Sequence, residues 1–192
     1  MQRQAVSPGS CYFYYPRLVV VVGVRDDARA TVNFAPVAWA SPLSSDPPLF
    51  GVCLSPRTYS HQLVLKTGEF TVNFLRHEDA GVAAAFGRLS GRDTDKVKEL
   101  ALELEPPEAL QTPSLAGAYA SAECLLVDRH QVGDQTLFVG EVQLIHAAID
   151  AFDADGVLKL ERAAPLLYLG GSRYVSTAPE TVVRPEVTPN RT

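Results

Sequence analysis

Apolar residues in the first third of the chain fall mostly in short runs bounded by polar residues or proline, which is typical of β-strands. Residues 18–24 are rich in valine and lie between a proline and an acidic segment, so they are predicted to form a buried strand. The acidic segment at 26–29 favours a hairpin turn, after which residues 30–34 return beside the first strand. Residues 49–54 give a third strand, which is entered through two prolines. The pattern therefore predicts an antiparallel meander.

The next segment changes to the spacing of a helix. Residues 60–67 combine leucines with helix-compatible polar residues and predict a short helix. Ser60 is expected to be its N-cap and Gly68 its C-cap. Residues 69–75 then alternate polar and apolar side chains, so their apolar side chains are expected on one face of a strand.

Helices and long strands follow in the rest of the chain. Residues 79–89 and 95–102 predict two helices, and residues 103–117, with three prolines, predict an excursion over the surface. Residues 118–127 and 136–148 predict two long antiparallel strands joined by a hairpin connection. Many strands without a regular βαβ alternation favour a mainly β fold with helical additions, built as an antiparallel barrel.

Composition and charge narrow the class of protein. The chain has 192 residues, 46% hydrophobic and 20% charged, which is typical of a globular domain with a sizeable core. A net charge of −5 without clustered Lys or Arg argues against a nucleic-acid partner. No apolar run approaches the ~20 residues of a membrane span and no leader is visible, so we expect a soluble, unprocessed protein without a membrane partner. Three widely spaced cysteines give neither a disulfide framework nor a zinc site, which favours the cytoplasm.

Two hydroxyl-rich segments, 41–45 and 55–60, flank the strand predicted at 49–54 and are read as two turns that the strand brings together. The second turn precedes the predicted helix start, where free backbone N–H groups and the helix dipole favour an anion. Arg57 adds a fixed positive charge there. The alternative is that these serines only make turns. For residues 41–45 taken alone the turn is favoured, and for residues 55–60 both interpretations stay open, with a phosphate as the candidate ligand.

Two further polar residues have open interpretations. Asn33 lies in an apolar strand and must satisfy its amide, either with a ligand or with a neighbouring backbone group. His61, at the predicted helix start, could contact a phosphate, pack on a ring or face solvent.

Several common types of functional site are excluded because their sequence motifs are not matched. Residues 170–174 do not match GxGxxG, and residues 87–92 lack the Lys-Ser/Thr ending of a P-loop. The four histidines show no paired metal-binding spacing, and there is no GxSxG nucleophile motif. Cys53 lies in an apolar strand and is expected in the core. We therefore predict no metal site and no catalytic side chain.

Five segments of the sequence carry a resemblance to a known family. The chain resembles the flavin reductase-like family of FMN-binding split barrels, which includes flavoredoxins and the small reductase components of two-component monooxygenases. The most specific parts are the DPP and GD…FVGEV sequences. The matching segments are VN at 32–33 with WASPLSSDPPL at 39–49, SPRT at 55–58, TGEFTVN at 67–73, GDQTLFVGEV at 133–142 and PLLYLGGSRY at 165–174.

The resemblance implies an antiparallel split β-barrel that binds FMN. It places the flavin ring against residues 40–44 and the phosphate at residues 55–61, and it implies a homodimer. The FMN-binding split-barrel domain is then expected at residues 15–175, between an N-terminal extension at 1–14 and a Pro-containing tail at 176–192. The residues expected to bind the cofactor are Asn33, Trp39, Ala40, Ser41, Pro42, Leu43, Ser44, Ser55, Arg57, Thr58, Ser60 and His61.

One departure from the family concerns the electron donor. The reductases usually have a histidine after Gly-Asp that contacts nicotinamide, but this chain has Gln135, which can hydrogen-bond but carries no charge. His130 is a nearby substitute, and Gly171 and Tyr174 match the segment that lies over the cofactor.

The resemblance leaves three functions open. The first is an FMN-dependent oxidoreductase that uses NADH or NADPH, as the reductase component serving a partner monooxygenase. The second is a flavoredoxin-like electron carrier that does not itself use NADH or NADPH. The third is a split barrel that has lost the flavin and serves as a binding scaffold.

Overall fold

A seven-stranded antiparallel sheet, curved into an open barrel, forms most of the molecule. The computed structural model describes residues 3–7, 9, 12–183 and 185. The strands are Arg17–Leu18 (β1), Val20–Asp26 (β2), Thr31–Val37 (β3), Ala40–Ser45 (β4), Pro48–Leu54 (β5), Glu69–Phe74 (β6), Leu104–Glu105 (β7), Ser114–Leu115 (β8), Ala120–Val132 (β9), Gln135–Ala147 (β10), Leu167–Gly170 (β11) and Arg173–Val175 (β12). The α-helices are Tyr59–Thr67 (α1), Ala80–Arg88 (α2) and Lys96–Glu99 (α3), and His77–Asp79 and Pro179–Thr181 form 3-10 turns.

The large sheet has the strand order β3-β2-β6-β9-β10-β5-β4. Strands β3 and β4 follow one another in the chain but lie at opposite edges of the sheet, so the barrel is open between them. The pairing of β5 with β4 continues one residue beyond β4, through a bond from Cys53 N to the Trp39 carbonyl oxygen at 2.9 Å. The predicted antiparallel split barrel is confirmed, and a three-stranded sheet of order β1-β11-β12 stands beside it.

Strand β2 is buried on both faces, which explains its nearly continuous run of valines. Val20, Val22 and Val24 face the barrel interior, where they pack with Phe70 and Phe138. Val21 of β2 and the preceding Val19 belong to a second cluster on the other face, which includes Phe34 and, from α2, Phe86. A strand between two apolar layers reads as an unbroken hydrophobic segment.

Helix α1 closes the barrel, with Leu63 and Val64 in the interior cluster. Its N-cap is Thr58, whose hydroxyl accepts from His61 N at 3.3 Å, so the predicted N-cap at Ser60 was wrong. Ser60 instead lies inside the first turn and is buried. The predicted C-cap is confirmed: Gly68 has φ +69° and donates its N–H to the Val64 carbonyl.

Three local predictions need correction. Residues 41–45 are not a turn but belong to β4, because proline is tolerated at a sheet edge. The helix predicted at 95–102 is only the single turn α3, and the chain leaves it through Ala101 at φ +48°. Strands β9 and β10 run on to a tight turn at Gly133 and Asp134, so the predicted connection between them is mostly strand.

The excursion at 103–117 contains the small β7–β8 sheet and is tied to the barrel by two buried carboxylates. Glu69 accepts from Thr112 Oγ1 at 2.8 Å and from Arg25 Nε at 3.0 Å. Glu123 accepts from three consecutive backbone N–H groups of the excursion, and the Nε2 atom of His146 lies 3.0 Å from its carboxylate. No helix in the described part of the chain is long and apolar enough to cross a membrane.

Candidate functional site

Three adjoining cavities follow strand β3 along the opening of the barrel, and Pro36 lines all three. We call them together the groove. The arginine cavity, at one end, has a volume of about 310 Å³ and contains Arg88 and Arg92 in its wall. The central cavity, also about 310 Å³, runs from Ala35 to Trp39. The tyrosine cavity, about 330 Å³, is lined by Tyr168 and Tyr174.

The arginine cavity is a cationic site at the start of α1. Arg88, from the end of α2, and Arg92, from the following loop, both line it, as does the capping residue Thr58. The first-turn N–H groups of a helix lack helical acceptors and carry the positive end of the dipole. A cavity with these donors and two guanidinium groups is suited to an anion. Its polar wall consists of Asn33, Thr58, Tyr59, Ser60, Arg88, Ser90, Arg92 and Lys96.

Lys96 adds a buried cation to the same cavity. It is 4% exposed, and its Nζ donates to the carbonyl oxygens of Phe34 and Phe86 at 2.7 and 2.8 Å. Burial lowers the pKa of Lys96 to about 8. The Nζ atom has no carboxylate within ion-pair distance among the described residues, so an anion in this cavity would relieve an otherwise unneutralised charge.

Asn33 connects β3 to the helix start. It is 4% exposed, and its Nδ2 donates to Ser60 Oγ at 2.8 Å. Its Oδ1 atom has no hydrogen-bond partner in the described part of the chain and lies against Gly91, where a Cβ atom would be only 2.0 Å away. Because Oδ1 is covered by Gly91, the Asn33 side chain contributes to the cavity wall mainly through its bond to Ser60 in the first turn of α1. In the described residues no neighbouring backbone group donates a hydrogen bond to Oδ1, so that predicted alternative is not realised for this atom.

The central cavity is mostly apolar and carries no charged side chain in its wall. Trp39, Cys53 and Leu54 line it, together with Ser55, Thr58 and Gln135. Cys53 is half-buried rather than in the core as predicted, and burial raises the pKa of its thiol, which stays protonated near neutral pH. A flat apolar group would find van der Waals contact here with little electrostatic bias.

Trp39 is held at the mouth of the groove by the N-terminal segment. Its Nε1 donates to Tyr15 Oη at 3.0 Å, and the Tyr15 ring packs edge-on against Tyr168. Trp39 and Cys53 also line a separate outer cavity of about 380 Å³, which we call the tryptophan cavity. Its other lining residues are Tyr14, Arg17, Ala40, Ser41, Leu43, Gly51 and Leu137.

The predicted cofactor residues divide between these cavities. Asn33, Thr58 and Ser60 meet in the arginine cavity, and Trp39 and Ser55 lie in the central one. Ala40, Ser41 and Leu43 line the tryptophan cavity, while Pro42 and Ser44 lie on β4 outside the wall of all four cavities.

Two predicted phosphate contacts are directed elsewhere. The Arg57 side chain is exposed and lines none of the four cavities, although its carbonyl accepts from Arg92 Nη2 at 3.1 Å. The His61 side chain is buried in the barrel, where its Nε2 lies 2.9 Å from Thr136 Oγ1 and its ring packs edge-on against Phe138. Burial, with a smaller effect of Arg129, lowers the pKa of His61, so it brings no positive charge at neutral pH.

The predicted nicotinamide contacts are also separated. Gln135 lines the central cavity and Tyr174 the tyrosine cavity. Gly171 lies in the β11–β12 turn at φ +58°, next to Ser172, which lines the tyrosine cavity. His130 is exposed on β9 and lies 3.0 Å from Asp128, outside the groove wall.

Sequence reasoning missed the cations of the arginine cavity. Arg88 and Arg92 come from residues 87–92, the segment that does not match a P-loop because it lacks the Lys-Ser/Thr ending, and Lys96 follows at the start of α3. The signal of that segment was present as two arginines around Ser90 and Gly91 just after a helix. No group of three or more His, Cys, Asp or Glu in the described residues could hold a metal ion.

A domain with this open barrel belongs to a recognised class, and the chain is a member of the flavin reductase-like domain family, whose model matches residues 12–177. It is 36% identical to an FMN-binding protein of Thermus thermophilus, solved with 1-cyclohex-2-enone, with a TM-score of 0.83 over 96% of this chain and 98% of that one. Flavoredoxin of Desulfovibrio vulgaris (Miyazaki F) has 26% identity and a TM-score of 0.82, over 94% and 97% of the two chains.

A third relative is the reductase subunit HsaB of a flavin-dependent monooxygenase from Rhodococcus jostii. It is 28% identical over 165 residues, which are 86% of this chain and 74% of that protein. The chain spans between 64% and 75% of the length of three further curated relatives that are 32–36% identical to it.

The residues of the groove fit FMN. A single phosphate needs a compact cationic pocket, which Thr58, Arg88 and Arg92 provide, and a flat ring needs the neutral wall beside Trp39 and Cys53. The two cavities share Ala35, Pro36 and Thr58 in their walls, so a single extended ligand can occupy both. The cationic and the neutral cavity thus fit the phosphate and the ring of the cofactor.

Proposed function

We propose that the chain binds FMN along the groove and acts as an NAD(P)H:flavin oxidoreductase that supplies reduced flavin to a partner monooxygenase. The observation that carries this proposal is that a cationic cavity and a neutral apolar cavity adjoin each other at strand β3 and share Ala35, Pro36 and Thr58 in their walls. The family and the FMN-binding relative of Thermus thermophilus support the cofactor.

Each part of the groove has a proposed role. The phosphate would be held by Arg88, Arg92 and the N-terminus of α1, and the ring would lie beside Trp39 and Cys53. When bound, FMN supplies the redox chemistry that amino-acid side chains lack. The protein's contribution is to fix the ring and the electron donor in register and to keep charged side chains away from the ring.

The tyrosine cavity is the proposed place of the nicotinamide donor. It adjoins the central cavity through Pro36 and Ala38, and Tyr168 and Tyr174 give it aromatic walls. Arg88 lines it as well and offers a cation to a donor phosphate. Burial raises the pKa of Tyr174, so its hydroxyl remains a neutral donor near neutral pH.

The visible spectrum of the purified protein tests the proposal, followed by anaerobic addition of NADH and then NADPH. We expect a flavin spectrum that bleaches rapidly with one of the two donors. A colourless protein with no affinity for FMN would refute the flavin and support the scaffold alternative.

A second candidate is a flavoredoxin-like electron carrier that does not use NADH or NADPH. The observation that favours it is Gln135, which lines the central cavity where the family reductases have histidine. A yellow protein that neither donor bleaches, but that dithionite reduces fully, would select this function. Gln135→His would then be the variant to test for gain of NADH oxidation.

The assembly is proposed to be a homodimer in the cytoplasm. Tyr14, Trp39 and Leu43 expose large apolar surfaces around the tryptophan cavity, and surfaces of this kind are commonly covered by a partner. Light scattering on the purified protein measures the oligomeric state, and a monomer at micromolar concentration would contradict it. A partner monooxygenase is proposed from the likeness to the HsaB reductase subunit.

A further inference from the structure

Arg29, at the tip of the β2–β3 hairpin, contacts the loop that follows α2. Its Nη1 donates to the Gly91 carbonyl at 2.6 Å, and its Nη2 donates to the Arg92 carbonyl. Gly91 and Arg92 follow Arg29 by 62 and 63 positions in the chain. One guanidinium therefore holds two successive carbonyls, so it fixes both the position and the orientation of that loop.

The Tyr59 ring lies within cation–π distance of this guanidinium and of that of Arg92. The Cζ atoms of Arg29 and Arg92 are 5.9 and 5.5 Å from the centre of the Tyr59 ring. The ring is fixed in turn by Asp26, whose Oδ2 accepts from Tyr59 Oη at 2.6 Å. The cation–π contact with Tyr59 and the bond from Arg92 Nη2 to the Arg57 carbonyl restrain the Arg92 side chain before any ligand arrives.

Asp26 also anchors Arg29 itself. The carboxylate is 2% exposed, and its Oδ2 lies 3.9 Å from Arg29 Nε. Asp26 is the last residue of β2 and its carbonyl also accepts from Arg29 N at 3.1 Å, so it holds Arg29 from within the hairpin turn. Arg29 does not line the arginine cavity, whereas Arg92 does.

We propose that Arg29 is a positioning residue for phosphate recognition: it holds the Gly91–Arg92 backbone so that the Arg92 side chain faces the arginine cavity. This inference rests on the proposal that the cavity holds the FMN phosphate. Arg29 does not touch the ligand in this arrangement, and its effect passes entirely through the loop.

The test compares FMN with riboflavin, which lacks the phosphate, by fluorescence titration of the apo-protein. For Arg29→Gln we expect the dissociation constant of FMN to rise about tenfold or more, equivalent to ~1.4 kcal/mol, while that of riboflavin changes by less than about twofold. A residue that only stabilised the fold would weaken both ligands alike.

Arg29→Lys separates positioning from charge. The ammonium keeps the positive charge but has no planar fork with which to hold two carbonyls and stack on Tyr59. Selectivity here is the ratio of the riboflavin to the FMN dissociation constant. We expect Arg29→Lys to recover, on a logarithmic scale, less than half of the selectivity that Arg29→Gln loses. Full recovery would show that a charge at this place is sufficient and would overturn the inference.

Gly91→Ala provides a second variant that changes no charge. Its Cβ atom would lie 2.0 Å from Asn33 Oδ1 and 3.1 Å from Tyr59 Cδ1, so the loop must shift. We expect the same selective loss of FMN, and an unchanged ratio of FMN to riboflavin affinity would contradict the inference even if Arg29→Gln failed to fold.

Arg162→Gln is the matched control, because Arg162 is exposed and lines none of the four cavities. Arg162→Gln should leave the ratio of FMN to riboflavin affinity unchanged. If it lost as much FMN selectivity as Arg29→Gln, the effect would be one of net charge alone. A wild-type protein without affinity for FMN would overturn the proposed function and this inference together. Wild-type affinity that Arg29→Gln leaves intact would overturn only the inference.

Discussion

Replacing Glu123 with Gln tests how strongly a buried carboxylate holds the 103–117 excursion on the barrel. Glu123 is 1% exposed, and its Oε2 accepts from the N–H groups of Ala109 and Leu110 at 3.0 and 2.6 Å. Its Oε1 accepts from Glu108 N at 2.9 Å and lies 3.0 Å from His146 Nε2. Glutamine keeps one acceptor oxygen and turns an NH₂ group toward the other pair of contacts. Two buried groups are then unsatisfied, at a cost of ~1–3 kcal/mol each, so we expect the free energy of unfolding to fall by about 2–4 kcal/mol after relaxation of the loop.

The same substitution has a defined pH dependence. Burial is the largest influence on the Glu123 pKa and raises it, but the hydrogen bonds from Glu108, His146, Leu110 and Ala109 together outweigh it and lower the pKa below 4.5. A carboxyl group with a lowered pKa in the folded state stabilises the fold above its unfolded value, and this stabilisation is lost as the pH falls through the folded value. The difference between wild type and variant should therefore be full at neutral pH and narrow below about pH 4.

Urea denaturation followed by circular dichroism, at neutral pH and near pH 3.5, measures both effects. Glu105→Gln is the control, because Glu105 is exposed on the same excursion and should change stability by less than ~0.5 kcal/mol. A loss below ~0.5 kcal/mol for Glu123→Gln, or a loss that persists unchanged in acid, would refute the reasoning.

Three further predictions concern the groove and the backbone. Because the pKa of Lys96 is about 8, FMN affinity should fall as the pH rises through that value, and fluorescence titration should show no such step in Lys96→Met. The unfolded chain binds more protons than the folded one between that pKa and 10.5, so this group makes the apo-protein more stable as the pH rises there. Tyr15→Phe removes the hydrogen bond to Trp39, the only tryptophan of the chain. The anisotropy of tryptophan fluorescence should therefore drop, while the free energy of unfolding changes by less than ~1 kcal/mol. Unchanged anisotropy would show that the bond does not hold the ring. Ala101→Gly should raise stability by about 0.5–1 kcal/mol in thermal melts, because Ala101 has φ +48°, and a loss of stability would contradict this.

The spacing of apolar residues was sufficient to predict strands where buried positions are either continuous or alternate along the chain. Strand β2 reads as a valine run because both of its faces are covered, and β6 alternates because Phe70 and Val72 face the barrel interior. The start of α1 was missed for a different reason. Thr58 and Ser60 are both good N-cap residues; Thr58 bonds His61 N as the cap, while the Ser60 hydroxyl is engaged by Asn33, 27 positions away in the chain.

The site was predictable only in part, because its charges are assembled by long-range contacts. The turn at 55–60 identified one side of the arginine cavity, and Thr58 is where it was expected. Arg57 was the natural choice of cation from that turn, yet the cavity takes Arg88 and Arg92 from another segment. Their placement depends on Arg29 and on helix α2, and neither relation leaves a mark in the local sequence.

The opening of the barrel also bears on how the protein avoids aggregation through its sheet edges. Strands β3 and β4 are the two edges of the large sheet, and edges of this kind are templates for pairing with another chain. Pro36 lies in β3 and Pro42 in β4, and proline cannot donate to a new ladder. The strands that must stay unpaired to leave room for a ligand are therefore the strands that carry protection against aggregation, and replacing either proline with valine would put solubility at risk.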